Sequence, residues 1–515
     1  MQTTPLVDPA QLHAMDEAGR ALVSKLLERI DDDGRQIQWR DAKIAKLTFE
    51  ISQIRRMQYG RKSEQLSVPQ KALFDEDIDA DLAVLERELD ELRDTLPKSP
   101  EKEKQQPKRA PLPAHLPRIE FRHEPEVTAC VCGCNLRRIG EDVSEKLDYT
   151  PGSFTVHRHI RGKWVCNRCE TLIQAPVAPD IIDKGIPTPG LLAHVAVSKH
   201  ADHLPLYRQE AIFGRAGLAI PRSTLASWAG VIGYRLQPLV EVLKAELLGC
   251  AVLQADETPV AMLAPGTGKT HRSYLWAYAA GEFESLKAVV YDFTDSRSGK
   301  HARSFLGDWK GHLVCDDFSG YKACFGNGII EAGCMAHARR HFVELHVANQ
   351  SQLAADAIEW FRQLYAIEAL VKDREHGERL EARQTRSAPI ATAFHDWLIV
   401  QRQRVPEGTA IAKAIDYSLN RWRALTRYLD HSALPIDNNH DERQIRTWAT
   451  GRKNWLFAGS LLAGQRAAAI TSLIQSAKLN GLDPYAYLKD VLTRLPSHNP
   501  NRFSDLLPHR WLLAS

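Results

Sequence analysis

Between residues 251 and 345, the apolar and polar positions follow the pattern of strands buried in a sheet. Short apolar runs alternate with turn residues, and the turns between the first three runs are short enough for antiparallel neighbours. A short helix, a fourth strand, a helical turn and a fifth strand follow, and a further helix begins near residue 334. The predicted strands are 251–263, 274–280, 288–293, 311–316 and 329–333.

This order of elements predicts the fold of the central domain. Three antiparallel strands, followed by strand, helix, strand and helix, are typical of the ribonuclease-H-like α/β fold. Outside this region, apolar residues recur at helical spacing in residues 187–245 and 462–495. A long helical stretch at about 350–430 is expected to be an insertion in the α/β domain. The predicted fold class is therefore multidomain, α plus α/β.

The N-terminal region carries a heptad repeat between residues 20 and 60. Its two sets of apolar residues lie three positions apart, as in a two-stranded parallel coiled coil with β-branched residues in the core. Asp33 and Arg40 occupy core positions and weaken the middle of the repeat. The alternative is an amphipathic helix that packs within its own domain. The first set is Val23, Ile30, Ile37, Ile44 and Ile51, and the second includes Leu26, Leu47 and Ile54.

Changes of composition along the chain predict the domain boundaries. An acidic second helix at 75–94 is followed by a linker that six prolines interrupt. The predicted segments are an N-terminal helical or coiled-coil region at 1–94, a linker at 95–118, a cysteine-containing module at 119–185, a helical segment at 186–248, the α/β domain at 249–460 and a helical C-terminal segment at 461–515.

Residues 206–228 predict a helix, a turn and a second helix, with Ser223 as the expected N-cap of the second helix. A helix-turn-helix of this kind can place its second helix in the major groove of DNA. The alternative is two packed helices without any role in reading DNA.

Composition narrows the classes of protein that fit this chain. At 515 residues it is long enough for several domains. It has no run of about 18 apolar residues and no secretory pattern at its N-terminus, so we expect a cytosolic or chromosome-bound protein without a membrane partner. The net charge of +3 is nearly neutral, so any binding of nucleic acid must depend on local basic patches.

Five of the nine cysteines lie between Cys130 and Cys169, which predicts a metal site rather than a disulfide framework. Cys166 and Cys169 have the C-x-x-C spacing of a zinc knuckle. Two further ligands are expected among Cys130, Cys132 and Cys134. Cys130 with Cys134 gives an allowed spacing, whereas Cys132 precedes a glycine like the second cysteine of a knuckle. The sequence therefore predicts a four-cysteine structural Zn²⁺ site and leaves its first pair of ligands open.

Two carboxylates, Asp256 and Glu257, interrupt the first predicted strand. A buried carboxylate without a partner is costly, so these residues need a specific role. Because side chains alternate along a strand, only one of them can face a given site, and the other is expected to face solvent or a basic partner. Asp316 and Asp317, at the end of the fourth strand, stand in the same relation. The alternative role of Asp256 is to cap the turn that follows the strand.

Glu442 is the third acidic residue of interest. Its alternative role is a capping box with Asn439, three residues earlier. If Asp256, Asp316 and Glu442 meet, they can hold two divalent cations, Mg²⁺ or Mn²⁺, about 3.5–4 Å apart, which activate a nucleophile and stabilise a leaving oxygen at a phosphodiester. The candidate phosphate-binding residues are Arg339, Arg340, Arg443, Arg446, Arg452 and Lys453.

A glycine-containing segment at 265–270 resembles a nucleotide-binding phosphate loop. However, Leu263 occupies the position of the first glycine of that motif, and a strand rather than a helix is expected to follow. The prediction for this segment is a hairpin turn between the first two strands, without a nucleotide site.

Four longer motifs carry a resemblance to a known family. They are Leu253–Pro259, Cys315–Tyr321, Gly333–Arg340, and Asp437–Arg443 with Arg452–Phe457. Together they resemble the insertion-sequence 66 (IS66) transposase family, and the similarity extends over nearly the whole chain. The resemblance implies a DDE-type DNA transposase in which Asp256, Asp316 and Glu442 match the catalytic triad and a zinc-binding domain precedes the catalytic one. The chain departs from the family at the irregular first cysteine cluster and at Asp317-Phe318, where Gly-Tyr is commoner.

The resemblance also implies partners. We expect a bacterial cytoplasmic, nucleoid-associated protein that binds terminal inverted repeats through its N-terminal helices and zinc module. It would cleave the element ends and transfer the freed 3′-hydroxyls to target DNA. A homodimer or higher oligomer is expected, and helper proteins encoded by the element are further candidate partners. The alternatives are a catalytically inactive, regulatory DNA-binding derivative and a nuclease that does not join strands.

Overall fold

The computed structural model describes scattered positions between residues 25 and 51, residues 81–89, residues 112–124 except 115, and residues 136–512 except 151, 184, 265–268 and 327. The chain divides into two compact units, which are described separately. The first unit comprises Met1–Ser63 and Leu82–Lys108, and the second comprises Glu64–Asp81 and Arg109–Ser515.

The described residues of the first unit are helical. Leu47 and Ile51 of the heptad repeat are buried against Leu85 and Leu89 of the second helical segment, with Ile44 at the margin of the cluster. These heptad positions therefore pack within one chain, which is the alternative that the sequence left open. Val23, Ile30, Ile37 and Ile54 lie outside the described residues, and the coiled coil between two chains stays a prediction.

The second unit begins with a small mixed sheet. It contains β1 (Arg118–His123), β2 (Leu136–Thr150), β3 (Ser153–Cys166) and β4 (Leu172–Gln174). The long strands β2 and β3 form an antiparallel hairpin, and β3 also pairs with β1 in parallel and with β4 antiparallel. Alternate residues of the hairpin, such as Leu147, Phe154 and Val156, enter a hydrophobic core shared with the helices that follow. This module is thus fixed to its neighbours by apolar burial.

Three helices follow, α1 (Pro189–His200), α2 (Leu206–Arg215) and α3 (Arg222–Leu247). The helix-turn-helix order predicted from the sequence is present. The prediction that Ser223 caps α3 is wrong, because the helix already begins at Arg222 and its N-cap is Pro221. Most of the long α3 is buried in the shared core.

The central sheet contains β5 (Val252–Ala264), β6 (Lys269–Ala280), β7 (Val289–Thr294), β8 (His312–Cys315) and β9 (Ile330–Gly333). Its order is β7-β6-β5-β8-β9. The β5–β6 and β6–β7 pairs are antiparallel, and the β5–β8 and β8–β9 pairs are parallel. These are the five strands that the sequence predicts. Two short helices, α4 (Gly299–Leu306) and α5 (Ser319–Phe325), connect the later strands.

Both faces of the central sheet are covered. One face, which includes Leu253 and Leu313, packs in the core that contains α3, α4 and α5. The opposite face, which includes Val252 and Val314, packs on a second core built by the helices of the insertion. Because both faces are buried, the strands are nearly continuous apolar runs in the sequence.

The insertion and the C-terminal region are helical. The helices are α6 (Met335–Asn349), α7 (Gln352–Val371), α8 (His376–Ala382), α9 (Ala388–Arg404), α10 (Ala410–Asn420), α11 (Trp422–Thr426), α12 (Asn439–Trp455), α13 (Leu461–Leu479) and α14 (Pro484–Arg494). A π-helical turn at Arg383–Ser387 joins α8 to α9, and Arg383 forms a buried ion pair with Glu368. The tail contains two short 3₁₀ segments. No helix in the described part of the chain is long and apolar enough to cross a membrane.

Helix α13 covers the edge strand β7. The backbone N–H of Tyr291 donates to Ser472 Oγ at 2.9 Å, and that of Val289 donates to Ser476 Oγ at 3.0 Å. Both serines are fully buried. The two hydroxyls therefore satisfy strand donors that would otherwise lack a partner.

We expect Ser472→Ala and Ser476→Ala each to lower the free energy of unfolding by about 1–3 kcal/mol, because each change leaves a buried N–H without an acceptor. Urea denaturation followed by circular dichroism measures the effect. Ser304→Ala, at an exposed position on α4, is the control and should change stability by less than about 0.5 kcal/mol. Equal effects at buried and exposed serines would contradict the assignment.

Candidate active site

The register of two parallel strands places Asp256 beside Asp316. Gln254 on β5 pairs with Val314 on β8 in the last step of this ladder. Two residues further along are Asp256, within β5, and Asp316, the first residue after β8. Because side chains two residues apart share a face, both carboxylates lie on the face of Val252 and Val314.

The start of α12 brings Glu442 to the same place. The Asn438 side chain donates from Nδ2 to the Ala255 carbonyl at 2.9 Å and accepts from Gln254 Nε2 at 3.2 Å. The Asp437 carbonyl also accepts from Gln254 Nε2, at 3.2 Å. Buried hydrogen bonds thus fix the first turn of α12 against β5, next to Asp256.

The electrostatics of Asp256 reflect this convergence. Burial raises the pKa of Asp256 well above its usual value, and the charge of Glu257 raises it further. Asp316 and Glu442 add to this rise, while a hydrogen bond from the Glu257 N–H opposes it. Carboxylates that repel one another in a partly buried position are the donor set that hard divalent cations neutralise.

The sequence also offered local capping roles for the acidic residues, and the structure differs from residue to residue on this point. The alternative role of Glu442, a capping box with Asn439, is not present in the structure. The helix begins at Asn439 with Asn438 as N-cap and without a side-chain cap, because the Asn438 side chain is bonded to β5. Asp256 lies within β5 and does not cap a turn that ends it. Asp316 does have a local role, since its Oδ1 accepts the Phe318 N–H at 2.9 Å.

The neighbouring acidic residues have partners of their own on other surfaces. Glu257 is buried and accepts hydrogen bonds from Arg297 Nε and Tyr321 Oη, each at 2.8 Å. Asp317 is exposed and forms an ion pair with Arg421 at 3.2 Å. Glu257 and Asp317 thus point away from Asp256 and Asp316, as the alternation of side chains along a strand predicts.

The basic residues proposed for phosphate binding occupy two helices. Arg339 and Arg340 lie on α6, and Arg340 Nη2 is 3.4 Å from Glu442 Oε2. The other four lie on α12, where Arg443, Arg446 and Lys453 are exposed. Arg452 differs from them, because its Nη1 donates to Thr258 Oγ1 at 2.9 Å and to the Pro259 carbonyl at 2.8 Å.

Two residues near this site were missed in the sequence. His337 Nδ1 lies 3.6 Å from Glu442 Oε1, and the C-x-x-H spacing at Cys334 and His337 is the signal that could have found it. Asp441 is fully buried, and neither of its carboxyl oxygens has a hydrogen-bond partner among the described residues. Burial raises the pKa of Asp441 well above its usual value, and the charges of Asp256 and Glu442 raise it further.

Two cysteines of the predicted zinc site lie at one end of the small sheet. Cys166 ends β3 opposite Leu136, and the Glu170 N–H donates to the Cys166 carbonyl at 2.9 Å to close a tight turn. Cys169, in this turn, is exposed. The other three predicted cysteines, Cys130, Cys132 and Cys134, lie outside the described residues. Thiolates at this spacing suit zinc.

Comparison with known proteins assigns the chain to a family. A family model described as "Transposase IS66 family" matches residues 184–466, and the "IS66 C-terminal element" matches 472–509. The "zinc-finger binding domain of transposase IS66" matches 128–170, and the "Transposase C of IS166 homeodomain" matches 46–121. These models describe the class of DNA transposases. The chain belongs to the IS66 transposase family.

Curated relatives extend over most of the chain. The uncharacterized protein y4qI of Sinorhizobium fredii is 38% identical over 470 residues, which cover 88% of this chain and 86% of that protein. The uncharacterized protein y4jD of the same organism is 38% identical over 416 residues, with coverage of 78% and 81%. A third, y4hP, is 32% identical over 434 residues, with coverage of 80% and 78%.

Removal of Asp437 and removal of Asp441, two carboxylates near the start of α12, should change the free energy of unfolding in opposite directions. Asp437 accepts hydrogen bonds from the Asn439 N–H, the Asn439 side chain and Tyr365 Oη, so Asp437→Ala should lower stability by about 1–3 kcal/mol. Asp441→Ala should instead raise stability by about 1–2 kcal/mol, because it removes a buried carboxyl without partners. Urea denaturation compares the two variants. A loss of stability in Asp441→Ala equal to that in Asp437→Ala would contradict this account.

Proposed function

We propose that the chain is a DDE-type DNA transposase that cleaves the ends of an insertion element and joins them to target DNA. The observation that carries the proposal is the convergence of Asp256, Asp316 and Glu442. The parallel pairing of β5 with β8 supports a position of Asp256 beside Asp316, and the hydrogen bonds of Asn438 fix the segment before Glu442 against β5.

The sheet supports this proposal. An order of β7-β6-β5-β8-β9, with three antiparallel strands and two parallel ones, is the arrangement expected for a ribonuclease-H-like domain. In such a domain, the first and fourth strands of the sheet supply two of the acidic residues. Here these strands are β5, which contains Asp256, and β8, which Asp316 follows directly.

Asp256, Asp316 and Glu442 would hold Mg²⁺ or Mn²⁺. When bound, these ions supply an activated oxygen nucleophile and charge stabilisation at the scissile phosphate. The residues of the chain provide the geometry: Asn438 orients the first turn of α12, and Arg340 lies against Glu442. Water attack at the element end would release a 3′-hydroxyl, which then attacks a target phosphodiester.

The remaining features fit binding to DNA. Exposed Arg443, Arg446 and Lys453 on α12, together with Arg339 and Arg340 on α6, provide positive charge for phosphates. The N-terminal helices and the zinc module would recognise the terminal inverted repeats. Joining two ends requires at least two active sites, so we propose a dimer or higher oligomer acting on DNA in the bacterial cytoplasm and nucleoid. Helper proteins encoded by the element remain candidate partners.

Cleavage of labelled element ends tests the catalytic proposal. Asp256→Asn should lower the Mg²⁺-dependent cleavage rate by about 10³-fold or more, because loss of a metal-binding carboxylate removes several kcal/mol of transition-state stabilisation. Asp317→Asn, an adjacent exposed carboxylate that faces Arg421, is the matched control and should retain cleavage within about threefold.

The products separate the alternatives. Joined products in a second duplex support a transposase, whereas cleavage without joining would indicate a nuclease. Specific binding of element ends without any cleavage by the unmodified protein would indicate a regulatory derivative and overturn the catalytic proposal.

Zinc content tests the cysteine module and identifies its undecided ligands. Cys166→Ser and Cys169→Ser should each lower the zinc retained through gel filtration by one ion per chain, because structural zinc needs four ligands. Among Cys130→Ser, Cys132→Ser and Cys134→Ser, two changes should remove this ion and one should not. Cys250→Ser, outside the module, is the control. Atomic absorption measures the metal, and an unchanged zinc content after Cys166→Ser would exclude the proposed site.

A further inference from the structure

Three different donor atoms meet beside the carboxylates. Ligand atoms of Cys334, His337 and Glu442 all lie within 4.8 Å of one another. Cys334 is the N-cap of α6, His337 lies in the first turn of that helix, and Glu442 lies in the first turn of α12. The start of one helix thus supplies sulfur and nitrogen, and the start of the other supplies oxygen.

Two of these donors lack a hydrogen-bond partner. His337 Nδ1 and Glu442 Oε1 are both shielded from solvent, and neither has a hydrogen-bond partner among the described residues. They lie 3.6 Å apart, which is too far for a good hydrogen bond. Buried polar atoms without partners are costly, so a ligand that engages both atoms gains free energy here.

Cys334 is placed to act as a third donor. Its side chain is fully buried, and its Sγ accepts the Asn438 N–H at 3.2 Å. Burial raises the pKa of the Cys334 thiol and the Asn438 N–H opposes this rise only in part, so a cation that binds the sulfur must displace its proton. The same amide belongs to the segment that carries Glu442. The sulfur is therefore linked by one hydrogen bond to the segment that provides the oxygen donor.

The donor set selects the type of cation. Mg²⁺ binds oxygen ligands in a nearly octahedral arrangement and has little affinity for thiolate or imidazole. One sulfur, one nitrogen and one oxygen suit Zn²⁺, which takes four ligands and accepts all three types. Three protein ligands would leave the fourth position for water.

We propose that Cys334, His337 and Glu442 form a second zinc site, separate from the cysteine module, which competes with the catalytic divalent cation for Glu442. Occupation of this site would withdraw Glu442 from Asp256 and Asp316. Zinc would then inhibit strand cleavage, and higher Mg²⁺ would relieve the inhibition. The binding site stands independently of the proposed transposase function, whereas the inhibition depends on it.

Metal binding is tested on the full-length protein with its cysteine module already loaded with zinc. Titration with Co²⁺, a spectroscopic substitute for Zn²⁺, should show one further ion per chain with a sulfur-to-metal charge-transfer band. His337→Asn should weaken this binding by at least about 100-fold. His341→Asn, one turn further along α6 where the ring contacts Tyr417, is the matched control and should leave the affinity unchanged.

A second variant distinguishes loss of a metal ligand from misfolding of the protein. Cys334→Ser should remove the charge-transfer band, and its thermal unfolding should be compared with that of the unmodified protein. Absence of the sulfur band in the unmodified protein would overturn the site, whereas ions that bind without this band belong to the carboxylates of the active site. A sulfur band that persists in Cys334→Ser, or one that forms at unchanged affinity in His337→Asn, would also overturn it.

Inhibition is measured as the Zn²⁺ concentration that halves the Mg²⁺-dependent cleavage rate of each variant relative to its own rate without zinc. In the unmodified protein this concentration should rise in proportion to Mg²⁺, and in His337→Asn it should rise at least tenfold at fixed Mg²⁺. Inhibition that is indifferent to Mg²⁺ would refute the competition. A second zinc ion in a protein without any cleavage activity would support the site and contradict the proposed function instead.

Discussion

Hydrogen bonding of one asparagine to the middle of the central sheet governs the geometry of the candidate active site. Asn438 and Ala255 are 183 residues apart in the sequence, yet the Asn438 side chain bonds to the Ala255 carbonyl and to Gln254. An α-helical insertion with its own hydrophobic core separates the two segments. Without this connection, nothing local in the sequence would bring Glu442 near Asp256. The asparagine is buried, so its hydrogen bonds form in a medium where their loss is expensive.

The site also shows how a fold tolerates clustered negative charge. Adjacent carboxylates are divided between two faces of the sheet, and those that turn away are neutralised by Arg297 or Arg421. The remaining carboxylates converge without an equivalent cationic partner, apart from the long contact of Arg340 with Glu442. Such a cluster lowers the stability of the folded chain in the absence of cations. Functional sites often hold strain or repulsion of this kind that the rest of the fold must offset.

The strands of the central sheet could be predicted from the sequence, whereas contacts between distant segments could not. The five strands were predictable because both faces of the sheet are buried, which makes the strands continuous apolar runs. Strand alternation correctly separated Asp256 from Glu257. The capping box at Asn439 does not form. The helix begins one residue after Asn438, whose side chain bonds to β5 instead of to the end of the helix, and no local sequence rule describes a hydrogen bond to so distant a strand. His337 was missed because a C-x-x-H motif supplies two donors, while the third donor lies on a helix more than a hundred residues further along.

Burial of polar groups was the least predictable property. Asp441 sits in a motif rich in polar residues, and its neighbours in the sequence are exposed or half-buried. Only the packing of α12 on the sheet makes it an internal residue. The burial of Ser472 and Ser476 was equally unpredictable, because their hydroxyls find the backbone N–H groups of β7 only when α13 packs along that strand.

That contact between α13 and β7 restricts how copies of the protein can assemble. The β7 border of the sheet has its backbone donors occupied by serine hydroxyls, so another chain cannot extend the sheet there by strand addition. Any association of copies on that side would therefore involve helical or side-chain surfaces rather than a continuous intermolecular sheet.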